Sequence, residues 1–455
     1  MAFSPQQLLP YLPHDNSTYY IAYSGGMDSH VLLHALCELK QAGQVKGELA
    51  VLHVNHGLSS NAQAWARHCQ NVCDSLNLPL NCHEVQVLKD GKGLEDAARN
   101  MRLAVFAKAV EEGGYVLTAH HLDDQVETLL FRLMRGTGLR GMSGMSAVRA
   151  LGNGKMIRPL LHLSREQLAS YANEHNLQWI EDESNAVVNF DRNYLRQKVM
   201  PLLAARWPGY HKNWQRFAQL AEEGELLQKE LGSQDLEQVI KGTHKLDLTA
   251  LQEFSALRQR NILRSWFLLL EETHQIPAPD YNVIEQVFQV LIPAAQDAMP
   301  LISWGKSGQR YELRRFASHL YLVLPQTETP ESIRMTWDTS NLLKLPGKMG
   351  TLALLESDGE GVDITPGDAL EVRFKQGGEQ AKPAGRKTRS LKKILPDYQV
   401  PPWLRGSTPL IYREHELVAV ADLFICDKYM LKSASQKNKK LYKFQWQRED
   451  LHCGY

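Results

Sequence analysis

The chain has 455 residues, 43% of them hydrophobic, with 51 basic and 51 acidic side chains and a formal net charge of zero. That length accommodates two to four domains with sizeable cores. The charge balance excludes a global field drawing the molecule to nucleic acid or membrane, so any such attraction must come from local patches. The beginning, MAFSPQQLLPYLPHDNS, has no basic start and is interrupted by proline, so it does not read as a signal peptide. No run approaches 18 apolar residues without charge, and no membrane span is expected.

In chain order, TYYIAY reads as a strand, and residues 28–40 as a helix with Val31, Leu32, Ala35, Leu36 and Leu39 on one face. ELAVLHV is a second strand, with a helix over 62–76. LNCHEVQV is a third, with a helix over 94–112. YVLTAH is a fourth, with a helix over 123–135, and KMIRPLL is a fifth. SREQLASYANEH is the helix that follows, and Ser164 with Gln167 three residues on predicts a capping box. This alternation predicts an α/β fold, an N-terminal doubly wound parallel sheet of Rossmann type, over residues 1–210. Residues 211–328 read as a mainly helical middle domain that ends in short strands. A linker over 325–330 leads to a small mixed α/β domain over 331–455. The six cysteines form no C-x-x-C pair. Cys69 and Cys73 lie four apart in a helical pattern and read as buried thiols rather than metal ligands, in a reduced, cytoplasmic setting.

In an open parallel sheet, ligands bind beyond the carboxyl ends of the strands. Four polar stretches fall there: SGGMDS, NHG, GKGLEDAARNMR and AHHLDDQVET. In the first, Gly25 and Gly26 let backbone N–H groups approach an anion. The helix that follows adds its N-terminal dipole, and Ser24 and Ser29 add hydroxyls. Asp28 serves a phosphate only if Mg²⁺ bridges the two. No G-x-x-x-x-G-K-[ST] occurs, so this is not the usual phosphate loop.

Ser24-Gly25-Gly26-Met27-Asp28-Ser29 resembles the pyrophosphate (PP) loop of the N-type ATP pyrophosphatases. Within that superfamily no glutaminase domain is visible, and the C-x-x-C pairs common in tRNA thiolases are absent. The stretches HVNHGLSSNAQAWARHC, TAHHLDDQVETLLFRLMRGTGLRGMSGM, IRPLL and WIEDESNAVVNFDRNYLRQKVMPLL resemble the tRNA(Ile)-lysidine synthetase family. So does VRFKQGGEQAKPAGRKTRSLKKILPDYQVPPWLRGSTPLIY near the C-terminus. The resemblance is looser over residues 215–330. It implies an AMP-forming ligase in the cytoplasm. ATP would adenylate O2 of the wobble cytidine of a tRNA(Ile) with a CAU anticodon. The amine of L-lysine would then attack C2 to give lysidine, AMP and pyrophosphate, changing codon reading from AUG to AUA and identity from methionine to isoleucine.

The resemblance also assigns roles. The ATP loop is Ser24, Gly25, Gly26, Met27, Asp28 and Ser29, with Asp28 as the Mg²⁺ ligand. Arg102, on one helix face with Arg99, matches an arginine near ATP suited to the charge of departing pyrophosphate. Asp124 and Glu127 match a D-x-x-E motif, and an acidic pair is what an ammonium substrate needs. His120 would meet the activated base, and Asp123 is the weaker choice among the acids. His53 and His56 sit at a strand end and read equally well as structural. DRNYLR carries Arg192 and Arg196, four apart and expected on one helix face near the lysine and tRNA. Residues 373–405 hold nine Lys/Arg against two Asp/Glu, a polyanion footprint. Arg386, Lys387, Arg389, Lys392, Lys393 and Arg405 are its candidate tRNA contacts, and Trp403 is its candidate stacking residue. A Lys-rich stretch over 428–443 supports it. Two other readings stay open: a PP-loop tRNA thiolase, and a non-catalytic nucleotide-dependent RNA-binding protein. The oligomeric state, monomer or homodimer, is not legible.

Overall fold

The computed structural model describes residues 2–57, 59, 61–85, 94–181, 191–295, 298–306, 309–324, 333–432 and 440–448. The expected linker over 325–330 and residues 433–439 of the Lys-rich stretch lie outside them. Contacts divide the chain into two compact units, Met1–Leu227 and Gln228–Tyr455. Among the described residues no helix is long and apolar enough to cross a membrane.

In the first unit the alternating pattern becomes β1 (Tyr19–Ala22), α1 (Met27–Gln41), β2 (Leu49–Asn55), α2 (Ala62–Ser75), β3 (Leu80–Glu84), α3 (Leu94–Ala109), β4 (Tyr115–Leu117) and α4 (Leu122–Met134). A short helix α5 (Leu139–Met142), strands β5 (Val148–Leu151) and β6 (Gly154–Ile157), and helix α6 (Arg165–Glu174) follow. The sheet order is β3-β2-β1-β4-β6-β5. Its first five strands are parallel, and β5 returns antiparallel to β6. The sequence reading missed β5, because the KMIRPLL strand has its partner in a hairpin whose residues are exposed at three of four positions and show no apolar alternation. α1 packs its apolar face on the sheet: Val31, Leu32, Ala35, Leu36 and Leu39 are all fully buried beside Ile21 and Val51. The Ser164–Gln167 capping box is present in both directions.

The chain leaves β1 toward β2 and β3, then crosses back to β4 on the other flank of β1. The loops after β1 and β4 therefore diverge to opposite sides and open a crevice between them at the carboxyl edge. Helices α7 (Asp191–Tyr194), α8 (Met200–Arg206) and α9 (Tyr210–Val239) follow, with a π-helical turn at Leu195–Val199 between α7 and α8. Trp214, Ala218 and Ala221 of α9 pack on Leu129 of α4.

The second unit has separate cores. Helices α10 (Leu248–Gln252), α11 (Ala256–His274) and α12 (Tyr281–Gln286) cover an antiparallel sheet. Its strands are β7 (Lys245–Asp247), β8 (Leu301–Lys306), β9 (Gln309–Phe316) and β10 (His319–Val323), in the order β7-β10-β9-β8. Trp266, Phe267, Leu313 and Leu320 are buried between the layers. Residues 333–448 build two five-stranded sheets around Trp337, Phe374, Phe444 and Trp446.

Candidate active site at the carboxyl edge of the parallel sheet

The turn after β1 is held by its own hydroxyls. Ser29 Oγ donates to the Gly26 carbonyl at 2.9 Å and accepts the Ser24 N–H at 3.2 Å, and Ser24 Oγ accepts the Gly26 N–H at 3.3 Å. Gly25 has φ +85°, and a Cβ there would stand 3.0 Å from Ile180 Cδ1 and 3.1 Å from Cys69 Sγ. Glycine is thus required by the fold at 25. At 26 it is not: φ is −78°, and a Cβ would meet only Ser24 Oγ, at an ordinary 3.5 Å. No side chain caps α1, so the N–H groups of its first turn open onto the crevice beside Gly26. The residues fit a phosphate approaching this bare backbone.

Across the crevice stands His121, the residue before α4, with an exposure of 2%. Its Nε2 lies 3.6 Å from Asp28 Oδ2 and 3.4 Å from Asp124 Oδ2, and its Nδ1 lies 3.5 Å from Asp123 Oδ2. Burial disfavours a charged ring, but Asp124, Asp123 and Asp28 outweigh it and raise the pKa to about 10. His121 is therefore an imidazolium that ties the loops after β1 and β4 together. Burial pushes the Asp28 carboxyl up, and His121, Arg165 and Arg196 overcome that and hold it below the usual range. Asp123 is held well below it in the same way, accepting the Arg165 N–H at 2.8 Å and pairing with His211 at 3.1 Å.

Arg196 reaches in from the π-turn. Its Nε donates to Glu127 Oε1 at 2.6 Å, and one terminal nitrogen donates to Glu127 Oε2 and to Asp124 Oδ1, each at 3.0 Å. Glu127 is buried, and burial raises its pKa despite Arg196. Four carboxylates, Asp28, Asp123, Asp124 and Glu127, thus gather around His121 and Arg196, with Arg165 also felt at Asp28 and His211 paired with Asp123. One oxygen of Asp28, Oδ1, is buried without a hydrogen-bond partner. A hard oxygen donor left open beside a phosphate cradle fits Mg²⁺.

Three family descriptions match in order along the chain: a PP-loop domain over residues 4–203, a TilS substrate binding domain over 246–321, and a TilS substrate C-terminal domain over 370–446. The tRNA(Ile)-lysidine synthase of Coxiella burnetii is 40% identical over 435 residues, 94% of each chain. Those of Pseudomonas aeruginosa and Pseudomonas fluorescens are 42% and 40% identical, each covering about nine-tenths of both chains. This chain belongs to the tRNA(Ile)-lysidine synthase family.

The strand order brings Asp28, Asp124 and Glu127, three of the residues singled out in the family's motifs, to one crevice. The others stand around it. His120 accepts or donates at Thr118 Oγ1, 2.9 Å from its Nδ1. Burial pushes its pKa down to about 4. Asp124 opposes that, and Arg158, Arg102 and Arg99 add to it, so the ring is neutral. Arg102, exposed on α3, is also felt at His56, whose pKa burial lowers first. His53 is structural: it is buried, its Nδ1 lies 2.9 Å from the Tyr23 carbonyl, and Cys69 Sγ lies 3.6 Å from that nitrogen. Arg192 and Arg196 both lie along α4: Arg192 is 5.9 Å from the Phe131 ring, and Arg196 holds Glu127, four residues before Phe131 on the same helix.

Sequence reasoning missed the central place of His121 and underrated Arg196. His121 carried one signal, its i, i+3 spacing to Asp124 at a helix start, where the Asp124 carboxylate accepts the His121 N–H at 3.0 Å. Arg196 carried only its place in the DRNYLR motif, which does not say that it meets Asp124 and Glu127.

In the C-terminal part of the synthase, the basic segment is a small hairpin, Gln380–Ala381 with Arg389–Ser390, followed by the turn Leu391–Ile394. Leu391 and Ile394 are buried with Val400 and Leu410, which turns Lys392 and Lys393 outward. Arg386, Lys387, Pro383, Gly385, Arg389, Ile394 and Asp397 line a cavity of about 350 Å³. Arg389 is paired with Asp397 at 2.9 Å, and Arg405 donates to the Val400 carbonyl. Trp403 is half-buried against the protein itself, 5.4 Å from the Tyr321 ring, with Arg314 over its face.

Proposed function

We propose that the chain ligates L-lysine to C2 of the wobble cytidine of a tRNA(Ile) with a CAU anticodon, at the expense of ATP, in the cytoplasm. Residues 1–210 serve as its catalytic domain, 211–328 as its middle domain and 331–455 as its tRNA-binding domain. The observation that carries this reading is the junction at His121: an anion cradle and a pocket lined by carboxylates meet across a single imidazolium. A bare phosphate enzyme needs the first only. An enzyme joining an ammonium substrate to an ATP-activated one needs both.

The Gly26 backbone and the first turn of α1 receive the ATP phosphates, Ser24 and Ser29 shape that turn, and Asp28 holds Mg²⁺ through its open oxygen. The bound Mg²⁺ supplies charge neutralisation to the phosphates. Arg102 answers the charge of departing pyrophosphate. Asp124 and Glu127 bind the lysine ammonium in place of the Arg196 guanidinium. Glu127, whose carboxyl burial already makes more basic, takes the proton from the attacking nitrogen. His120, neutral, offers a hydrogen bond to the activated cytosine, and Arg192 stands at the tRNA side. Arg386, Lys387, Lys392 and Lys393 contact tRNA phosphates. Among the described residues no thiol is activated: burial pushes Cys37 and Cys426 up to about 11, Cys69 and Cys73 up to about 12, and raises the exposed Cys82 as well.

Mass analysis of nucleosides from tRNA(Ile) incubated with the purified protein, ATP and lysine tests the proposal. A cytidine that has gained lysine supports it. A sulfur-containing nucleoside, or no modification with AMP unreleased, overturns it.

A further inference from the structure

Outside the crevice, α1 and α6 pack side by side and carry a second group of polar side chains. His34 and Glu38 are four apart on α1 and so share a face. His175 is the residue that caps the C-terminus of α6. One nitrogen or oxygen of each lies within 4.8 Å of those of the other two. All three residues are partly exposed, so solvent reaches them.

Tyr171 fixes this group from behind. Its hydroxyl donates to Glu38 Oε2 at 3.1 Å and lies 2.9 Å from His34 Nδ1. A hydroxyl has one proton, and a carboxylate has none to give. With that proton on Glu38, His34 Nδ1 must be the donor to the Tyr171 oxygen. Its Nε2 then keeps a free lone pair. The His175 ring stacks on Tyr171 with centroids 4.1 Å apart. An imidazole whose second nitrogen is anchored to an oxygen, next to an anchored carboxylate, is the outer arrangement that orients metal ligands.

We infer that His34, Glu38 and His175 form a site for a divalent transition-metal ion of the zinc class, joining α1 to α6. Two imidazoles and a carboxylate are the donor set that holds zinc with a fourth position left to water. Ligands about 2.0–2.2 Å from such an ion stand about 3.4 Å apart, so ligand atoms within 4.8 Å of one another have to close by at most about 1.4 Å. Nitrogen donors separate this site from the all-oxygen place at Asp28, which suits Mg²⁺. Because α1 begins at the ATP loop, the ion would brace the helix whose N-terminus receives phosphate.

The test uses the untagged full-length protein, stripped with chelator and dialysed against Zn²⁺, with bound metal counted and Tm recorded. The wild type should bind one more zinc than the double variant His34→Gln/His175→Gln, and Zn²⁺ should raise the Tm of the wild type only. Tyr171→Phe should weaken zinc binding by about 10–100-fold. Glu38→Gln keeps an acceptor for Tyr171 and should weaken it at least about tenfold. His14→Gln, at an exposed histidine elsewhere, should change nothing. Equal zinc counts and equal Tm shifts in wild type and double variant overturn the inference. If the double variant does not fold, unchanged zinc affinity in Glu38→Gln does so.

Discussion

His121 Nε2 stands 3.6 Å from Asp28 Oδ2, and this one separation joins two loops that are 93 residues apart in the chain (121 − 28 = 93). The imidazolium stands just before α4 and the carboxylate in the first turn of α1, and the sheet order puts both at the gap between β1 and β4.

The charge on His121 makes stability depend on pH. Its folded pKa, about 10, lies above the ordinary 6.5. Its contribution is complete below about pH 6.5 and disappears as pH rises through about 10. His121→Gln leaves three carboxylates facing one another and should cost about 3 kcal/mol near neutral pH. Urea midpoints of wild type and variant should converge between pH 7 and 10. A constant gap across that range would show that the ring is held neutral.

Gly25 and Gly26 should part company. Alanine at 25 must adopt φ +85° and press on Ile180 and Cys69, so Gly25→Ala should lose about 2–4 kcal/mol. Gly26→Ala meets no such obstacle and should lose at most about 1 kcal/mol as a poorer N-cap. Its methyl nevertheless points into the cradle, and ATP affinity should fall at least about tenfold. Tm and ATP binding, measured on both, separate fold from function. Normal ATP affinity in Gly26→Ala would move the phosphate elsewhere.

Arg196 restrains the rise of the Glu127 pKa that burial causes. Arg196→Ala removes that restraint, so Glu127 should hold its proton to higher pH. The acid limb of the lysine-dependent rate should then move to higher pH, with a KM for lysine changed more than ATP affinity. Rate–pH profiles at saturating and limiting lysine read both effects. An acid limb that stays in place would take Glu127 out of the proton transfer.

The outward lysines and arginines of the C-terminal hairpin should act as phosphate contacts without base preference. Changing Arg386, Lys387, Lys392 and Lys393 to glutamine leaves the buried Leu391 and Ile394 untouched. The log–log dependence of tRNA affinity on salt should become shallower by about three units. Trp403→Ala should act differently: the ring is engaged with Tyr321 and Arg314, so the loss should appear as stability rather than as salt slope.

Local pattern was enough for the alternating strands and helices from β1 to α4 and for α6. Apolar spacing on α1, the strand runs before each polar loop and the Ser164–Gln167 cap all recur at their expected places, because each depends on neighbours within a few residues. The turn from Ser24 to Ser29 is local in the same sense, since its hydroxyls bond within six residues. Tertiary structure alone decided what faces it. Whether His120 or His121 is the charged ring depends on which one is turned toward three carboxylates from two helices. That Arg196 meets both Glu127 and Asp124 depends on how residues 191–199 pack against α4. Trp403, exposed-looking in a basic stretch, is claimed by Tyr321, 82 residues earlier (403 − 321 = 82). Charge state and partner are properties of distances across the fold, and these distances are set by packing that no short window of sequence contains.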